Sequence, residues 1–288
     1  MLEDLTGRTA FITGASRGFG RELALQFAKA GANLILAART LPALHETIHS
    51  AGEERTHSGQ KIGAIPLDLA RPWTFPEGLR ICAEEFGGID ILVNNAAIQG
   101  PIGPFEANDP VAWRQTMEVN FLGPAELCRL AIPQLRQRRH GKIINISGGG
   151  ATGPRADFSA YGSSKAALVR FSETLAVELA PDEIDVNCIA PGAMNTQMLE
   201  EILAAGPDAA PREFAKAREQ KRTGGSSPTR AAELVVFLAS AQCDGITGRL
   251  ISAVWDPWES LPEKREALAE GDIYTLRRIV PGDRGQSW

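Results

Sequence analysis

The sequence predicts an α/β protein in which a doubly wound parallel sheet of seven strands is flanked by helices. Short, almost continuously apolar runs alternate along the 288 residues with longer segments whose apolar residues recur at helical spacing. A glycine-rich turn, TGASRGFG at 13–20, separates the first apolar run from the first helical segment. Strands and helices that alternate in this way are typical of parallel sheets with helical connections.

Seven strands are predicted from the apolar runs. Successive residues of a strand point to opposite faces of the sheet, and in these runs both sets are apolar. We therefore expect helices to cover both faces. The runs are RTAFIT at 8–13, ANLILAA at 32–38, KIGAIPL at 61–67, IDILVN at 89–94, GKIINIS at 141–147, IDVNCIA at 184–190 and GRLISAV at 248–254.

Three long helical segments follow from the same pattern. Residues 21–31 and 159–180 carry apolar side chains at helical spacing, and the second segment is the most strongly amphipathic of the chain. Residues 113–139 are also predicted to be helical, but they contain Pro124 and Pro133. Because proline removes a backbone donor and clashes with the preceding turn, we expect this helix to be kinked or broken.

The domain organisation follows from where this alternation stops. We predict one domain over 1–256, interrupted at about 194–228 by a helical insertion that carries little strand signal. Residues 257–288 follow the last strand as a C-terminal extension. The extension contains Trp258 and Tyr274 and is too apolar for a disordered tag, so we expect it to pack on the domain or on a neighbouring subunit.

Composition and charge exclude several classes of function. The net charge is -5, and an acidic protein is a poor partner for nucleic-acid phosphates. No apolar run reaches the length of a membrane span, and the first residues lack the basic and apolar regions of a secretory signal. We therefore expect a cytoplasmic protein without a membrane partner.

Cysteine and histidine spacing predicts neither a disulfide framework nor a metal site. The cysteines lie far apart without a CxxC pair, so buried free thiols are expected. His45 and His49 stand at i and i+4, but their polar neighbours favour an exposed helix face. The four cysteines are Cys82, Cys128, Cys188 and Cys243.

The glycine-rich turn is the first candidate for ligand binding. Gly14, Gly18 and Gly20 follow a strand and open a helix, in the spacing GxxxGxG. Glycines allow a ligand to approach the backbone closely, and a helix N-terminus offers free N–H groups to a pyrophosphate. The context favours dinucleotide binding over the alternative of a purely structural turn.

The end of the second strand indicates which dinucleotide binds. An acidic residue that holds the ribose 2′-hydroxyl of NAD is usual there, but this chain has Ala37, Ala38 and Arg39. A guanidinium can bind a 2′-phosphate through paired hydrogen bonds, and Arg17 in the glycine turn can add a second contact. The alternative is that Arg39 only caps the strand. NADP(H) is therefore favoured, and NAD(H) stays possible.

Several motifs occur together, and through them the sequence resembles the classical short-chain dehydrogenase/reductase family, whose fold is of the Rossmann type. The matching segments come in the family's order and cover about residues 5–255. They are TGASRGFG at 13–20, LDL at 67–69, NNAA at 94–97, VNF around Asn120, INIS at 144–147, YGSSK at 161–165 and APGAMNT at 190–196.

The resemblance implies hydride transfer between a nicotinamide cofactor and a small-molecule alcohol or ketone. Tyr161 would be the acid/base, Lys165 its partner and ribose anchor, and Asn120 the support of a water in a proton relay. The resemblance also implies a homodimer or homotetramer, with the helix that carries Tyr161 in one interface.

A cofactor-binding set also follows from the resemblance. Asp68 would hydrogen-bond the adenine with Leu69 beside it, and Pro191, Gly192 and Thr196 would lie by the nicotinamide. With the glycine turn and the two arginines, the set is Gly14, Ser16, Arg17, Gly18, Phe19, Gly20, Arg39, Asp68, Leu69, Asn94, Ala96, Tyr161, Lys165, Pro191, Gly192 and Thr196.

The chemistry of Tyr161 and Lys165 can be argued from the residues alone. A free phenol has a pKa of about 10, which is too high for a base at neutral pH. An ammonium one helical turn away favours the phenolate and lowers that pKa. The pair can then take a proton from an alcohol or give one to a carbonyl; the alternative is an ordinary surface pair.

The sequence departs from the family beside the acid/base. Gly148 stands thirteen residues before Tyr161, where the family has a serine that binds the substrate oxygen. Ser147 could replace it only through a bulge, because successive strand residues point to opposite faces. Other candidates are Thr152, a backbone N–H of the glycine run, or a hydroxyl of the substrate. Loss of such a donor costs about 3 kcal/mol of transition-state stabilisation.

Two functions therefore stay open. The first is an NADP(H)-dependent oxidoreductase with Tyr161, Lys165, Asn120 and Ser147 as its catalytic set. The second is a catalytically impaired protein that binds the nucleotide on the same fold, as the glycine at 148 suggests. The substrate also stays open: a polyhydroxylated molecule could supply its own hydrogen bonds, and a hydrophobic ketone, a fatty-acyl thioester or a steroid-like ligand is an alternative.

Overall fold

A seven-stranded parallel sheet forms the centre of the computed structural model, which describes residues 3–288. The strands lie in the order β3-β2-β1-β4-β5-β6-β7, and every neighbouring pair is parallel. They are β1 Thr9–Thr13, β2 Asn33–Ala38, β3 Ile62–Pro66, β4 Ile91–Asn94, β5 Lys142–Ile146, β6 Asp185–Ala190 and β7 Leu250–Ser252. The predicted doubly wound sheet is confirmed, and its strand order reverses beside β1, which opens a crevice at the strands' carboxyl ends.

Helices cover both faces of this sheet. They are α1 Gly18–Lys29, α2 His45–Glu53, α3 Phe75–Phe86, α4 Pro110–Met117, α5 Gly123–Leu135, α6 Ser159–Leu179, α7 Gln197–Ala209, α8 Pro211–Thr223, α9 Pro228–Ala239 and α10 Arg265–Glu270. Successive strand residues serve opposite faces: Ile12 packs in the core on the α1 and α9 side, and Phe11 packs in the core under α3 and α5. This double burial explains the continuous apolar runs.

The long helix predicted over 113–139 is interrupted before its first proline. A π-helical turn, Glu118–Leu122, joins α4 to α5 and contains the buried Asn120. Pro124 follows directly after this turn, in the first turn of α5, and the wider turn accommodates its missing N–H. Pro133 lies inside α5, which continues to Leu135. π-helical turns often occur at functional sites, and this one places Asn120 against α6.

The insertion consists of α7 and α8, which pack against each other and against the start of α6. Gly206 breaks the direction of α7 with a φ of +82°. Leu199 and Ile202 of α7 and Ala217 of α8 form a buried cluster with Tyr161. The insertion therefore roofs the part of the crevice that contains the tyrosine.

The C-terminal extension packs on the domain of its own chain. Trp258 is buried against Phe237 of α9, with 5.2 Å between the ring centroids. The backbone N–H of Leu250 in β7 donates a 2.8 Å hydrogen bond to the carbonyl of Tyr274. The Arg249 guanidinium donates to further carbonyls of the extension, at Leu268, Gly271 and Ile273. These contacts cover the open edge of the sheet at β7, which would otherwise present unpaired backbone groups.

Within residues 3–288, no helix is long and apolar enough to cross a membrane. The same part of the chain contains no group of three or more histidine, cysteine or acidic residues placed to hold a metal ion. All four cysteines are free and buried, and burial raises the pKa of each thiol to about 12. Such thiols are inert packing groups at neutral pH.

Candidate active site

One cleft at the carboxyl ends of the strands brings nearly all the predicted site residues together. Its volume is about 1870 Å³. Every predicted cofactor position lines it except Asn94, as do the predicted Ser147 and Thr152. The glycine turn and Arg39 form one half, here called the cofactor half. The loop Gly148–Asp157 with α7 and α8 forms the other, here called the substrate half.

The cofactor half is shaped by glycines whose missing side chains let backbone segments come close together. Gly14 and Gly18 have φ angles of +66° and +54°, which favour glycine. A Cβ on Gly20 would lie 2.1 Å from the carbonyl oxygen of Gly14, so the helix can approach the strand only without a side chain. A Cβ on Gly18 would point into open space, with Thr196 Cγ2 nearest at 3.9 Å. The cradle between Gly18 and Thr196 fits a pyrophosphate.

The N-terminus of α1 has backbone N–H groups that are available to bind an anion. Its N-cap residue, Arg17, makes no side-chain capping hydrogen bond, and its first turn has no acidic residue. The first N–H groups of a helix lack intrahelical partners, and the positive end of the helix dipole attracts negative charge. This arrangement suits the phosphates of a dinucleotide.

Two arginines stand unpaired at the outer end of the cofactor half. Arg17 and Arg39 are exposed, and no carboxylate in residues 3–288 lies within ion-pair distance of either. Asp68 also lines the cleft but lies 3.6 Å from Arg71, an arginine of its own loop. The outer end therefore offers a phosphate two guanidinium groups without a competing acidic partner.

Asn94, which the resemblance places beside the cofactor, lies outside the cleft. Its side chain is buried and donates a 2.8 Å hydrogen bond to Asn145 Oδ1 in the neighbouring strand. The next residue, Asn95, lines the cleft instead and donates to the carbonyl of Thr13 at 2.9 Å. Thr13 Oγ1 accepts from the backbone N–H of Ala96 at 3.1 Å. The side chains of these two asparagines therefore point to different sides, and the contact of Asn94 with the cofactor stays a prediction.

Tyr161 and Lys165 lie at the floor of the cleft, on the first two turns of α6. Only 7% of Tyr161 is exposed, and Lys165 Nζ lies 5.8 Å from its ring centroid. The ammonium donates a 2.7 Å hydrogen bond to the carbonyl of Ile146 at the end of β5. Burial lowers the pKa of Lys165 to about 8. The lysine is therefore close to exchanging its proton near neutral pH.

The pKa of Tyr161 is raised, contrary to the expectation that its lysine lowers it. Burial is the main cause, because the phenolate loses its hydration. The group that opposes burial is Arg155, whose charge favours the phenolate. The sequence argument missed Arg155 because nothing in the glycine-rich loop indicates that its side chain returns to α6.

Arg155 links three parts of the substrate half. Its guanidinium carbon lies 3.8 Å from the Phe158 ring centroid and 5.9 Å from that of Tyr161. It also forms a half-buried ion pair with Glu213 of α8, with 2.7 Å between Nη2 and Oε2. The insertion is thus tied to the loop beside the acid/base by an ion pair, in which Glu213 also contacts Lys216.

Asn120 is buried behind the cleft, and its hydrogen bonds fix the position of neighbouring segments. Its amide donates to the Ile98 carbonyl at 2.9 Å, and its Oδ1 accepts from the Ile98 backbone N–H at 2.9 Å. The same amide lies 3.2 Å from Ser164 Oγ on α6, and that hydroxyl donates to the Tyr161 carbonyl. Asn120 therefore holds the loop after β4 against the helix of the acid/base.

The backbone at Gly148 lies so close to Tyr161 that there is no space for a side chain at position 148. A Cβ on Gly148 would lie 2.4 Å from the Tyr161 hydroxyl oxygen. Gly150 has a φ of +97°, and a Cβ there would lie 2.9 Å from the Gly162 Cα. The two glycines let the loop rest directly on α6. A serine at 148 would require the phenol to move.

Ser147 continues the strand rather than forming a bulge. Its backbone N–H donates to the Ile189 carbonyl at 2.8 Å, which extends the pairing of β5 with β6. The side chain is buried, and its Oγ has no hydrogen-bond partner in the described residues. None of those residues accepts a hydrogen bond from the backbone N–H groups of Gly148, Gly149 and Gly150 either. This wall therefore offers several unused polar groups.

Comparison with known proteins agrees with this geometry. A family model described as short chain dehydrogenase matches residues 8–206. The short chain dehydrogenase pigC of Monascus ruber is 31% identical over 278 residues, which cover 96% of this chain and 88% of that protein. The oxidoreductase UcpA of Escherichia coli (strain K12) is 33% identical over 266 residues, covering 90% of this chain and 97% of that protein.

Solved structures resemble the fold over most of its length. A dehydrogenase/reductase from Sinorhizobium meliloti 1021 matches with a TM-score of 0.74 and 31% identity, covering 86% of this chain and 94% of that one. An NAD⁺-bound xylitol dehydrogenase matches with a TM-score of 0.78 and 23% identity, covering 86% of this chain and 97% of that one. The second likeness concerns the fold alone.

Proposed function

This chain belongs to the short-chain dehydrogenase family, and we propose that it is an NADP(H)-dependent oxidoreductase that interconverts a secondary alcohol and a ketone. The observation that carries the proposal is the shared cleft: Tyr161 and Lys165 lie at its floor, and the unpaired Arg17 and Arg39 stand at its outer end. One end suits proton transfer, and the other suits a phosphorylated dinucleotide.

The cofactor-binding residues act at three places along the cleft. The glycine turn and the start of α1 hold the pyrophosphate, and Arg17 and Arg39 hold a 2′-phosphate. Asp68 and Leu69 line the region assigned to the adenine, and Thr196 faces the glycine turn. When bound, NADP(H) supplies or accepts the hydride.

Tyr161 moves the proton that accompanies the hydride. In the direction of reduction its hydroxyl donates to the carbonyl oxygen, and in the direction of oxidation its phenolate accepts the proton of the alcohol. The charge of Arg155 opposes the effect of burial and favours the phenolate, and Lys165 lies 5.8 Å from the centre of the Tyr161 ring. Roofing of the site by α7 and α8 keeps water from competing for the proton.

The place of the usual serine is taken by groups of the loop wall. Gly148 excludes a side chain near the phenol, and Ser147 forms no bulge that would turn its hydroxyl towards the phenol, so the donors to the reacting oxygen are the unused backbone N–H groups of the glycine run. Donors fixed in the backbone need no reorganisation when charge develops on that oxygen. This proposal favours turnover over the alternative of a protein that only binds the nucleotide.

Calorimetric titration of NADP⁺ and NAD⁺ into the purified protein tests the cofactor assignment. We expect NADP⁺ to bind at least about tenfold more tightly, because two charge-assisted contacts are gained at the 2′-phosphate. Consumption of NADPH in the presence of a panel of ketones tests the reaction. Tight NADP⁺ binding without turnover of any ketone would favour the nucleotide-binding alternative, and binding of neither nucleotide would overturn the whole proposal.

A further inference from the structure

Gln99 is a buried amide in the cleft wall for which the fold provides no partner. It follows β4 in the segment NNAAIQ, lines the cleft and is only 4% exposed. Its Nε2 is buried without a hydrogen bond, and no residue in 3–288 donates to or accepts from its carboxamide. Buried polar side chains almost always have a partner, and leaving one without it costs about 1–3 kcal/mol. Such a group is expected where a ligand supplies the missing bonds.

The backbone on both sides of Gln99 is fixed. The preceding residue, Ile98, is held by Asn120 through both its N–H and its carbonyl. The following residue, Gly100, has a φ of +72°, and a Cβ there would lie 2.2 Å from Thr116 Oγ1. The amide is therefore presented to the cleft by a rigid segment rather than by a mobile loop.

The same contacts connect the segment of Gln99 to the helix of the acid/base, and Gln99 and Tyr161 line the same cleft. Asn120, which holds the residue before Gln99, also contacts Ser164 of α6. Ser164 lies one helical turn from Tyr161, and its hydroxyl donates to the Tyr161 carbonyl. Because both residues line one cleft, a substrate whose reacting carbon lies at Tyr161 can extend a second polar group towards Gln99.

The chemistry of the site indicates which polar group that is. A carboxamide offers both donors and an acceptor, which match a hydroxyl that also donates and accepts. The arginine nearest to Tyr161, Arg155, already has a carboxylate partner in Glu213, which Lys216 shares, so a carboxylate of the substrate would have to compete with Glu213 for Arg155. A neutral hydroxyl is the best complement.

We propose that Gln99 is a specificity-determining residue that binds a second oxygen of the substrate, a hydroxyl on the carbon next to the reacting one. The substrate class is then a neutral vicinal diol or the corresponding 2-hydroxy ketone. This inference rests on the proposed function, since it places the reacting carbon at Tyr161. A site built to bind a hydroxyl discriminates strongly against analogues without it, because its own polar group is then left unpaired.

A matched pair of ketones tests the proposal. Reduction of 2-hydroxycyclohexanone and of cyclohexanone with NADPH is compared in the wild type, in Gln99→Met and in Gln137→Met, a control with the same exchange at an exposed glutamine outside the cleft. We expect the wild type to prefer the hydroxy ketone in kcat/KM by at least about tenfold. Gln99→Met should reduce this preference by about tenfold or more, and Gln137→Met should keep it.

An equilibrium measurement separates this inference from the reaction itself. In the presence of NADP⁺, 1,2-cyclohexanediol should raise the Tm of the wild type more than cyclohexanol does, and Gln99→Met should abolish the difference. Selective stabilisation without any ketone turnover would support the role of Gln99 and contradict the proposed reaction. Equal reduction of both ketones, or no selective stabilisation by the diol, would overturn the inference and leave the proposed function intact wherever turnover is seen.

Discussion

The two halves of the cleft are built on different principles. In the cofactor half the backbone makes the site: glycines at 14, 18 and 20 and the start of α1 form a cradle whose shape depends on the absence of side chains. In the substrate half side chains from separate segments make the site, including Gln99, Arg155 and Glu213. A site made by backbone geometry leaves a pattern in the sequence, and a site made by converging side chains leaves none.

Replacing Lys165 by Met should give the largest effect and would test the junction of the two halves. We expect turnover to fall by roughly 10²- to 10⁴-fold, the usual size of an acid/base contribution. The folded protein should nevertheless become more stable at neutral pH, because a buried ammonium is costly. We expect a gain of about 1–2 kcal/mol, since the lost hydrogen bond to Ile146 offsets part of it.

The pH dependence of this gain has a definite sign. The pKa of Lys165 is about 8 in the folded chain and 10.5 for an ordinary lysine. Between these values the unfolded wild type binds a proton that the folded wild type has released, so its stability rises with pH. The advantage of Lys165→Met should therefore be largest below pH 8 and shrink towards pH 10.5. Urea unfolding across this range measures it, and a variant less stable than wild type at neutral pH would contradict the account.

Arg39→Asp breaks the cofactor half without touching the substrate half. The aspartate removes a guanidinium contact and repels a 2′-phosphate, so NADP⁺ affinity should fall by about ten- to a hundredfold. NAD⁺ affinity should stay unchanged or rise. Calorimetry gives both constants, and Arg139→Asp, at an exposed arginine outside the cleft, is the matched control. An equal loss for both nucleotides would show that Arg39 does not contact the 2′-phosphate.

The substitution Gly148→Ser tests whether the glycine at the family's serine position impairs turnover or is required by the position of Tyr161. Restoring the family's serine would place a Cβ 2.4 Å from the Tyr161 hydroxyl, so the phenol must move. We expect kcat to fall by about tenfold, within the range that misplaced catalytic groups cost. Gly153→Ser in the same loop, where a Cβ meets nothing within 4 Å, should leave kcat unchanged. A rise in kcat for Gly148→Ser would show that the glycine impairs the site.

Arg155→Met should give the smallest effect, a shift in the pH profile. The arginine favours the Tyr161 phenolate, so its removal raises the pKa of that phenol. Alcohol oxidation needs the phenolate, and its rate should therefore rise with pH at a higher pH than in the wild type. Arg155→Lys keeps the charge and should largely restore the wild-type profile. Identical profiles for all three proteins would exclude Arg155 as an electrostatic partner of Tyr161.

The fold could be predicted closely because burial on both faces marks every strand. All seven predicted strands lie within two residues of the observed ones. The prolines also predicted an irregular helix over 113–139, and a π-helical turn does precede Pro124, but the helix continues through Pro133. These features depend on residues that are neighbours in the sequence.

The site could be predicted where it depends on local motifs, which include the glycine turn and the pair Tyr161 and Lys165. In the motif NNAA, the sequence does not show which of two adjacent asparagines has its side chain in the cleft, and the structure places that of Asn95 there. Gln99 and Arg155 were missed because their roles depend on contacts between distant segments. One signal was present for Gln99: it is the polar residue in an otherwise apolar stretch, AAIQGPIG.

Tyr161→Phe is the most direct test of the central claim that this cleft transfers a proton with the hydride. Phenylalanine keeps the ring in its buried cluster and removes only the hydroxyl. The account predicts that kcat/KM with NADPH and the preferred ketone falls by roughly 10²- to 10⁴-fold, while the Kd for NADP⁺ stays within about twofold of the wild type. Turnover retained at the wild-type level would contradict the account, because the reaction would then use another acid.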